Sequence, residues 1–250
     1  MRRVLAAVSI VTLFTGRASG AQSVPDSLSR PLRWSTVAVA GGVVAATAIA
    51  FDGTVARSIH EHPSADRSKT ADKLERFGTI TVIGPTVGTL AVVGLLSGRK
   101  QLSNIALNAT EAVVMASVAA QSLKLVTGRT RPRDDPDLSG DDFAPLSGDD
   151  GFPSGHTAAA FAFATSLGDA IQRPWARVGL YALATGTAWA RVAQEAHWLS
   201  DVVAGAAVGI LSAKFASGRR TIFGVRAPRF GVSPAGFLLS WNGLPWRPAP

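Results

Sequence analysis

His197 and Asp201 lie four positions apart in the run RVAQEAHWLSD, residues 191–201. If this run is helical, the spacing puts both side chains on one helix face, within reach of each other. A carboxylate that accepts a hydrogen bond from one imidazole nitrogen fixes the tautomer and leaves the other nitrogen free as a nucleophile. The pair therefore indicates either nucleophilic catalysis or an exposed ion pair. Arg191 lies six residues before His197, near the end of an apolar segment.

A second group, Pro153-Ser154-Gly155-His156, directly precedes an apolar run. A helix that begins near His156 has backbone N–H groups without intrahelical acceptors in its first turn, and the helix dipole adds partial positive charge there. Gly155 lets a ligand approach the backbone, and Ser154 adds a hydroxyl donor. These features suit a phosphate group. The alternative is a simple N-cap by Ser154, with His156 on the surface.

The third group is KLVTGRTRP, residues 124–132, which puts Lys124 at the end of an apolar helix and arginines just beyond it. Arg131 offers a planar fork of donors and Lys124 a mobile point charge, so the two could clamp phosphate oxygens. The alternative is that these charges flank a membrane helix.

The order of the three groups is more specific than any one of them. The pattern K-x6-RP, then PSGH, then R-x5-H-x3-D resembles the signature of the type 2 phosphatidic acid phosphatase and vanadium haloperoxidase superfamily, in particular its membrane lipid phosphatases. The motifs span residues 124–201, and the helical pattern extends the resemblance to residues 34–217. The chain departs from the family at Ala190, where the family usually has serine before the arginine.

The resemblance implies metal-independent hydrolysis of a phosphate monoester or pyrophosphate, carried by a membrane lipid, through a phosphohistidine. His197 would attack phosphorus, Asp201 would orient His197, and His156 would protonate the leaving group and then activate water. The residues implied to hold the phosphoryl oxygens are Lys124, Arg131, Ser154, Gly155 and Arg191. Because Lys124, Arg131 and Arg191 supply the positive charge, no metal and no other cofactor is expected.

Six apolar segments must position these groups, and they predict an all-α bundle of about six mostly transmembrane helices. Their richness in small residues favours close helix packing, and none shows the alternation of a strand. A short amphipathic helix is expected at 65–77, and Glu111 is expected to face the bundle interior or a polar cavity. The segments are 34–51, 77–98, 101–123, 157–176, 178–190 and 202–213.

Three regions are predicted along the chain. Residues 1–21 resemble a signal peptide or N-terminal anchor, with a basic start, an apolar stretch and a small-residue end. Residues 22–217 form the helical phosphatase domain, and residues 218–250 form an extended tail that could be a β-hairpin.

Charge and composition restrict the location and the partners. The net charge is +8 and 47% of residues are apolar, but the arginines lie between apolar runs rather than along one polar face. We interpret them as phosphate ligands and membrane-flanking charges, which argues against nucleic-acid binding. The chain has no cysteine, which excludes a thiolate nucleophile. The expected partners are a lipid phosphate or pyrophosphate and the lipids of a bacterial inner membrane, with the site facing the periplasm.

Three alternative functions stay open at this point. A soluble periplasmic acid phosphatase would share the motifs but not the long uncharged segments. A vanadium haloperoxidase would bind vanadate in the same pocket. A catalytically inactive membrane scaffold would keep the fold without turnover.

Overall fold

The computed structural model describes residues 30–31, 34–218, 220–221, 227, 229–233 and 236–240. The expected N-terminal signal segment, residues 1–21, lies outside the described residues. The described chain is mainly helical, which confirms the all-α prediction. Its α-helices are α1 Trp34–Glu61, α2 Ala65–Leu74, α3 Ile80–Leu96, α4 Lys100–Thr127, α5 Gly155–Ile171, α6 Pro174–Ala193 and α7 Leu199–Ala216.

Each of the six apolar segments forms a helix, and α2 is the short helix expected from the sequence. Local signals set the ends that matter for the motifs. Helix α4 ends where Gly128 adopts a left-handed conformation with φ of 53°, which starts the long connection to α5. Helix α5 begins after Ser154, whose side chain accepts a hydrogen bond from the Thr157 N–H.

Helix α5 lies at the centre of the bundle and packs against α4, α6 and α7. Its buried face is made largely of alanine, which allows the neighbouring helices to come close. On α7, a Cβ added at Gly205 would lie 2.6 Å from the Ser154 carbonyl oxygen, and one at Gly209 would clash with the Ala158 carbonyl oxygen. These glycines therefore let α7 contact the backbone of α5 directly.

The three sequence motifs meet at one end of the bundle, which we call the motif end. Helices α4 and α6 finish there, and α5 and α7 begin there. The opposite end contains Leu96, Lys100, Ile171, Pro174 and Ala216.

By length and composition, three described segments are apolar enough to cross a membrane: Ala65–Leu96, Lys100–Thr127 and Leu199–Ala216. Many of their large apolar side chains are exposed on the outside of the bundle, among them Leu95, Val118 and Val126. Such a surface is suited to lipid rather than water.

The described residues outside the helices include four short strands. Strand β1, Arg30–Pro31, pairs in parallel with β2, Arg220–Thr221. The chain just before α1 therefore lies beside the chain that follows α7. Strands β3, Arg229–Ser233, and β4, Gly236–Ser240, pair in antiparallel register.

Candidate active site

A cavity of about 470 Å³ opens at the motif end of the bundle. Its inner wall is apolar and includes Ile83, Val113 and Ala159. Its polar wall contains most of the residues that the motifs singled out, although they come from three separate stretches of chain. These are Lys124, Arg131, Gly155, His156, Arg191 and His197.

His197 is buried, with 2% of its surface exposed, and it precedes α7. Its Nδ1 lies 2.7 Å from the carbonyl oxygen of Gly151. A carbonyl can only accept a hydrogen bond, so Nδ1 carries the proton and Nε2 keeps its lone pair. Burial lowers the pKa of His197, against the opposing influence of Asp201, and this favours the neutral ring. The ring is therefore held in the nucleophilic tautomer.

Asp201 lies within reach of His197, as the spacing predicted, but the two do not share a helix face. The helix starts only at Leu199, so His197 lies before it and Asp201 lies in its first turn. The Asp201 carboxylate is 3.7 Å from the His197 Nδ1 and accepts instead from the Trp198 backbone N–H at 2.7 Å. Asp201 therefore holds the start of α7 and acts on His197 by its charge.

Arg129 is the most buried cation of the motif end, and its function was not predicted from the sequence. Its guanidinium donates to Asp201 Oδ1 at 2.7 Å and to Asp52 Oδ2 at 2.8 Å. The guanidinium lies 5.3 Å from the Trp198 ring centroid. The sequence predicted that the arginines of residues 124–132 are phosphate ligands or membrane-flanking charges. Arg129 is neither, because its guanidinium is buried against two carboxylates. The available signal was Asp52, a carboxylate that directly ends an uncharged 18-residue run.

His156 lies in the first turn of α5, before the apolar stretch 157–176, and lines the cavity. Burial and the nearby charge of Arg191 lower its pKa to about 4. His156 is therefore a neutral imidazole at neutral pH. A bound phosphate anion would favour the protonated form, because opposite charge raises the pKa of a base.

The three expected phosphate ligands with positive charge have protein partners. Lys124 Nζ donates to the backbone carbonyl of Asp150, and Arg131 Nη2 donates to the Asp150 carboxylate at 2.6 Å. Arg191 Nη1 donates to Glu75 at 2.7 Å. The Nε atoms of Arg131 and Arg191 are buried and have no hydrogen-bond partner among the described residues. An anion in the cavity could satisfy them.

Asp150 is a second residue that sequence reasoning missed. Its carboxylate is 3.8 Å from Lys124 Nζ, and half of its side chain is exposed. Burial alone would raise the pKa of Asp150, but the Arg131 hydrogen bond and the Lys124 charge outweigh it and hold the pKa below its ordinary value. Asp150 therefore remains ionised next to the two cations.

Ser154 and Gly155 occupy different environments although they are adjacent. Ser154 is fully buried and accepts hydrogen bonds from the N–H and the hydroxyl of Thr157, so its side chain acts as an N-cap and does not line the cavity. Gly155 does line the cavity, and a Cβ there would be 4.0 Å from the Lys124 side chain. Phosphate contact by Ser154 stays a prediction.

Ala190, the one departure from the family signature, lies away from the cavity. It is completely buried and packs with Ala71 and Ala193 where α2 meets α6. The methyl group therefore supports the α2–α6 contact, next to the ion pair between Arg191 and Glu75.

Two further residues, Glu111 and His60, lie away from the motif residues in sequence. Glu111 is buried in α4, as expected for a residue that faces the interior. His60 Nδ1 lies 3.1 Å from Glu195. Within the described part of the chain, no group of three or more His, Cys, Asp or Glu side chains could hold a metal ion.

The chain is similar to known phosphatases. The sequence model of the PAP2 superfamily matches residues 105–220. A lipid A 1-phosphatase of Rhizobium etli is 31% identical over 194 residues, which cover 72% of this chain and 82% of the relative. A lipid A 1-phosphatase of Porphyromonas gingivalis is 50% identical over 62 residues, but these cover 24% of this chain and only 14% of that longer protein.

The fold is also found in solved structures. One of them is a transmembrane PAP2-type phosphatidylglycerolphosphate phosphatase from Bacillus subtilis, with a TM-score of 0.58 and 18% sequence identity. The superposition covers 74% of this chain and 94% of that protein.

Proposed function

Because the chain belongs to the PAP2 superfamily, as its motifs indicated, we propose that it hydrolyses a phosphate monoester or pyrophosphate of a membrane lipid through a phosphohistidine at His197. The observation that carries the proposal is the hydrogen bond from His197 Nδ1 to the Gly151 carbonyl at 2.7 Å. This bond leaves Nε2 as the unprotonated nitrogen in a cavity lined by cations.

In the first step, His197 Nε2 attacks phosphorus, and the bond from phosphorus to the leaving oxygen breaks. His156 gives its proton to that oxygen, so the lipid leaves as an alcohol, or as a phosphate when the substrate is a pyrophosphate. The bound phosphate raises the pKa of His156, which allows the ring to hold this proton in the complex. His197 then carries the phosphoryl group on Nε2.

In the second step, His156 takes a proton from water, and the resulting hydroxide attacks phosphorus. The bond between phosphorus and Nε2 breaks, which releases inorganic phosphate and restores His197. His156 begins this step unprotonated, because it has just given its proton to the leaving oxygen, and it can therefore accept a proton from water.

Lys124, Arg131 and Arg191 supply the positive charge that stabilises the phosphoryl oxygens in the transition state. The backbone N–H groups at Gly155 and His156 add donors from the first turn of α5. These groups support a reaction without a metal or other cofactor. Turnover is therefore expected to persist in excess chelator.

The protein is a membrane protein, and its substrate is proposed to be a lipid phosphate. The relatives named lipid A 1-phosphatase favour the phosphate of a lipid A-type glycolipid as the first substrate to test. Phosphatidic acid, phosphatidylglycerol phosphate and isoprenoid pyrophosphate belong in the same panel, because each presents a phosphate group at the membrane surface.

We place the motif end on the periplasmic face of the inner membrane. The short connections at the opposite end carry Arg99, Lys100 and Arg173, as is typical of the cytoplasmic side. The segment 62–79 at the motif end also carries basic residues, and labelling of single cysteines at the two ends tests the orientation. Pairing of β1 with β2 puts residue 30 at the opposite end, so this orientation puts residue 30 on the cytoplasmic side.

The test is a comparison of two histidine variants in purified protein. His197→Ala is expected to abolish phosphate release and to form no phosphoenzyme. His156→Ala is expected to slow turnover severely but to keep the nucleophile. Acid-labile phosphohistidine should therefore be detected in this variant after a brief reaction with radiolabelled substrate. His62→Ala, in an exposed position, is the matched control and should behave as wild type. Near-normal turnover by His197→Ala would exclude this nucleophile.

A further inference from the structure

The Asp150 carboxylate contacts the same cations that a phosphate would need. One of its oxygens accepts from Arg131 Nη2 at 2.6 Å and lies 3.8 Å from Lys124 Nζ. Asp150 also lines the cavity that contains His156 and His197. A carboxylate with these partners imitates two of the contacts of a phosphoryl oxygen.

A bound phosphate and the Asp150 carboxylate cannot share these cations at low cost. Both groups are negative, and two like charges in contact with the same cations repel each other strongly in a partly buried site. The phosphate must therefore displace the Asp150 side chain before Lys124 and Arg131 can turn to it.

The surroundings of Asp150 permit this displacement. Its side chain is 47% exposed, whereas Lys124 and Arg131 are 9% and 18% exposed, so the carboxylate can turn toward water while the cations stay in the wall. The Lys124 ammonium also contacts the Asp150 main-chain carbonyl, which does not depend on the carboxylate.

We propose that Asp150 is an internal competitor for phosphate: its carboxylate occupies the Lys124–Arg131 pair in the empty site, weakens phosphate binding and thereby promotes release of the inorganic phosphate product. This inference rests on the proposed function. It makes Asp150 a residue that sets affinity for the phosphate group rather than one that performs chemistry.

The expected change in phosphate affinity depends on how often the Asp150 carboxylate closes the site and how often it leaves the site open. A site closed by the carboxylate about 90% of the time has about tenfold weaker apparent phosphate affinity than an always-open one. Asp150→Asn keeps the shape and the main-chain carbonyl but removes the negative charge. The variant is therefore expected to bind phosphate about tenfold more tightly.

A different role for Asp150 gives the opposite result. If its carboxylate orients Lys124 and Arg131 for the substrate, its loss would weaken phosphate binding. The sign of the change in affinity therefore separates competition from positioning.

The experiment measures the dissociation constant of inorganic phosphate by calorimetry, and its inhibition constant against a soluble phosphate monoester, in detergent-purified full-length protein. Asp149→Asn is the matched control, because Asp149 is exposed and bonds to Ser147 outside the cavity. Both constants should fall about tenfold in Asp150→Asn and stay at the wild-type value in Asp149→Asn. Asp150→Ser, which also removes the charge, replaces Asp150→Asn if that variant does not fold.

Unchanged or weaker phosphate binding in the folded Asp150 variants would overturn the competitor proposal. Failure of the proposed function looks different, because the wild-type protein would then bind phosphate without hydrolysing any substrate of the panel. The calorimetric constants would still test the role of Asp150 in that case.

Discussion

At the residue scale, the tautomer of His197 is set by a backbone group. The Gly151 carbonyl accepts from Nδ1, while the Asp201 carboxylate lies farther away and is taken up by Arg129 and the Trp198 N–H. A main-chain acceptor is held by the fold and cannot rotate away as a side chain can. In the proposed reaction, this arrangement leaves Asp201 to stabilise, at a distance, the positive charge that the His197 ring acquires when Nε2 is phosphorylated.

The lowered pKa of His156 can be measured directly, because the chain has only four histidines. We expect the ring to titrate with a midpoint of about 4, since burial and the charge of Arg191 disfavour the imidazolium form. Between this value and the ordinary value near 6.5, His156 is therefore neutral in the folded protein. The measurement is a pH titration of histidine-labelled protein by NMR, and added inorganic phosphate should move the midpoint upward.

The resonance of His156 is identified by its absence in His156→Gln. A midpoint at or above 6.5 in the phosphate-free protein would show that the site does not disfavour the charged ring.

At the element scale, the buried Arg129 side chain links the connection between α4 and α5 to two helices of the bundle. Arg129 joins this connection to Asp52 in α1 and to Asp201 in α7. All three side chains are at least 98% buried, so removal of the cation would leave two carboxylates without their counter-charge. Arg131, two residues later, pairs instead with the half-exposed Asp150.

Arg129→Met is therefore expected to lower the free energy of unfolding by about 3–5 kcal/mol, because breaking a buried ion pair leaves unpaired charge in a low dielectric. Arg131→Met, the matched substitution in the same connection, is expected to abolish most of the activity with a much smaller loss of stability. Thermal unfolding in detergent measures the loss of stability in each variant, and phosphate release measures the loss of activity. Equal melting temperatures for the two variants would show that the Arg129 ion pairs contribute little.

At the scale of the whole molecule, antiparallel packing brings all three motifs to one end. Helices α4 and α6 carry Lys124 and Arg191 in their last turns, and α5 and α7 start beside them. The close contact of α7 with α5 at Gly205 also brings Asp201 next to the start of α5, where the Ser154 N–H donates to the Asp201 carbonyl at 3.0 Å. The position of this end relative to the membrane then decides which leaflet supplies the substrate.

The proposed orientation can be tested with single cysteines, because the natural chain contains none. Ser147→Cys lies at the motif end and Ser97→Cys at the opposite end, and both positions are exposed. In intact spheroplasts, a membrane-impermeant maleimide should label Ser147→Cys and should reach Ser97→Cys only after lysis. The reverse labelling pattern would place the site in the cytoplasm.

The sequence by itself determined the helices, which depend on local information, and most of the cationic and histidine residues of the cavity wall, which form an ordered set of motifs. Uncharged runs of bilayer length predict helices without knowledge of their neighbours, and the spacing of Lys124, Arg131, His156, Arg191 and His197 is specific as a set.

Only the tertiary structure decided how these residues are held. Arg129 meets Asp52 across 77 positions and Asp201 across 72, distances at which spacing along the chain carries no geometric information. The partner of His197 is a main-chain carbonyl, which every residue has and which therefore leaves no mark in the sequence. Asp150 looks like any acidic residue of a polar loop until the fold places its carboxylate against Lys124 and Arg131.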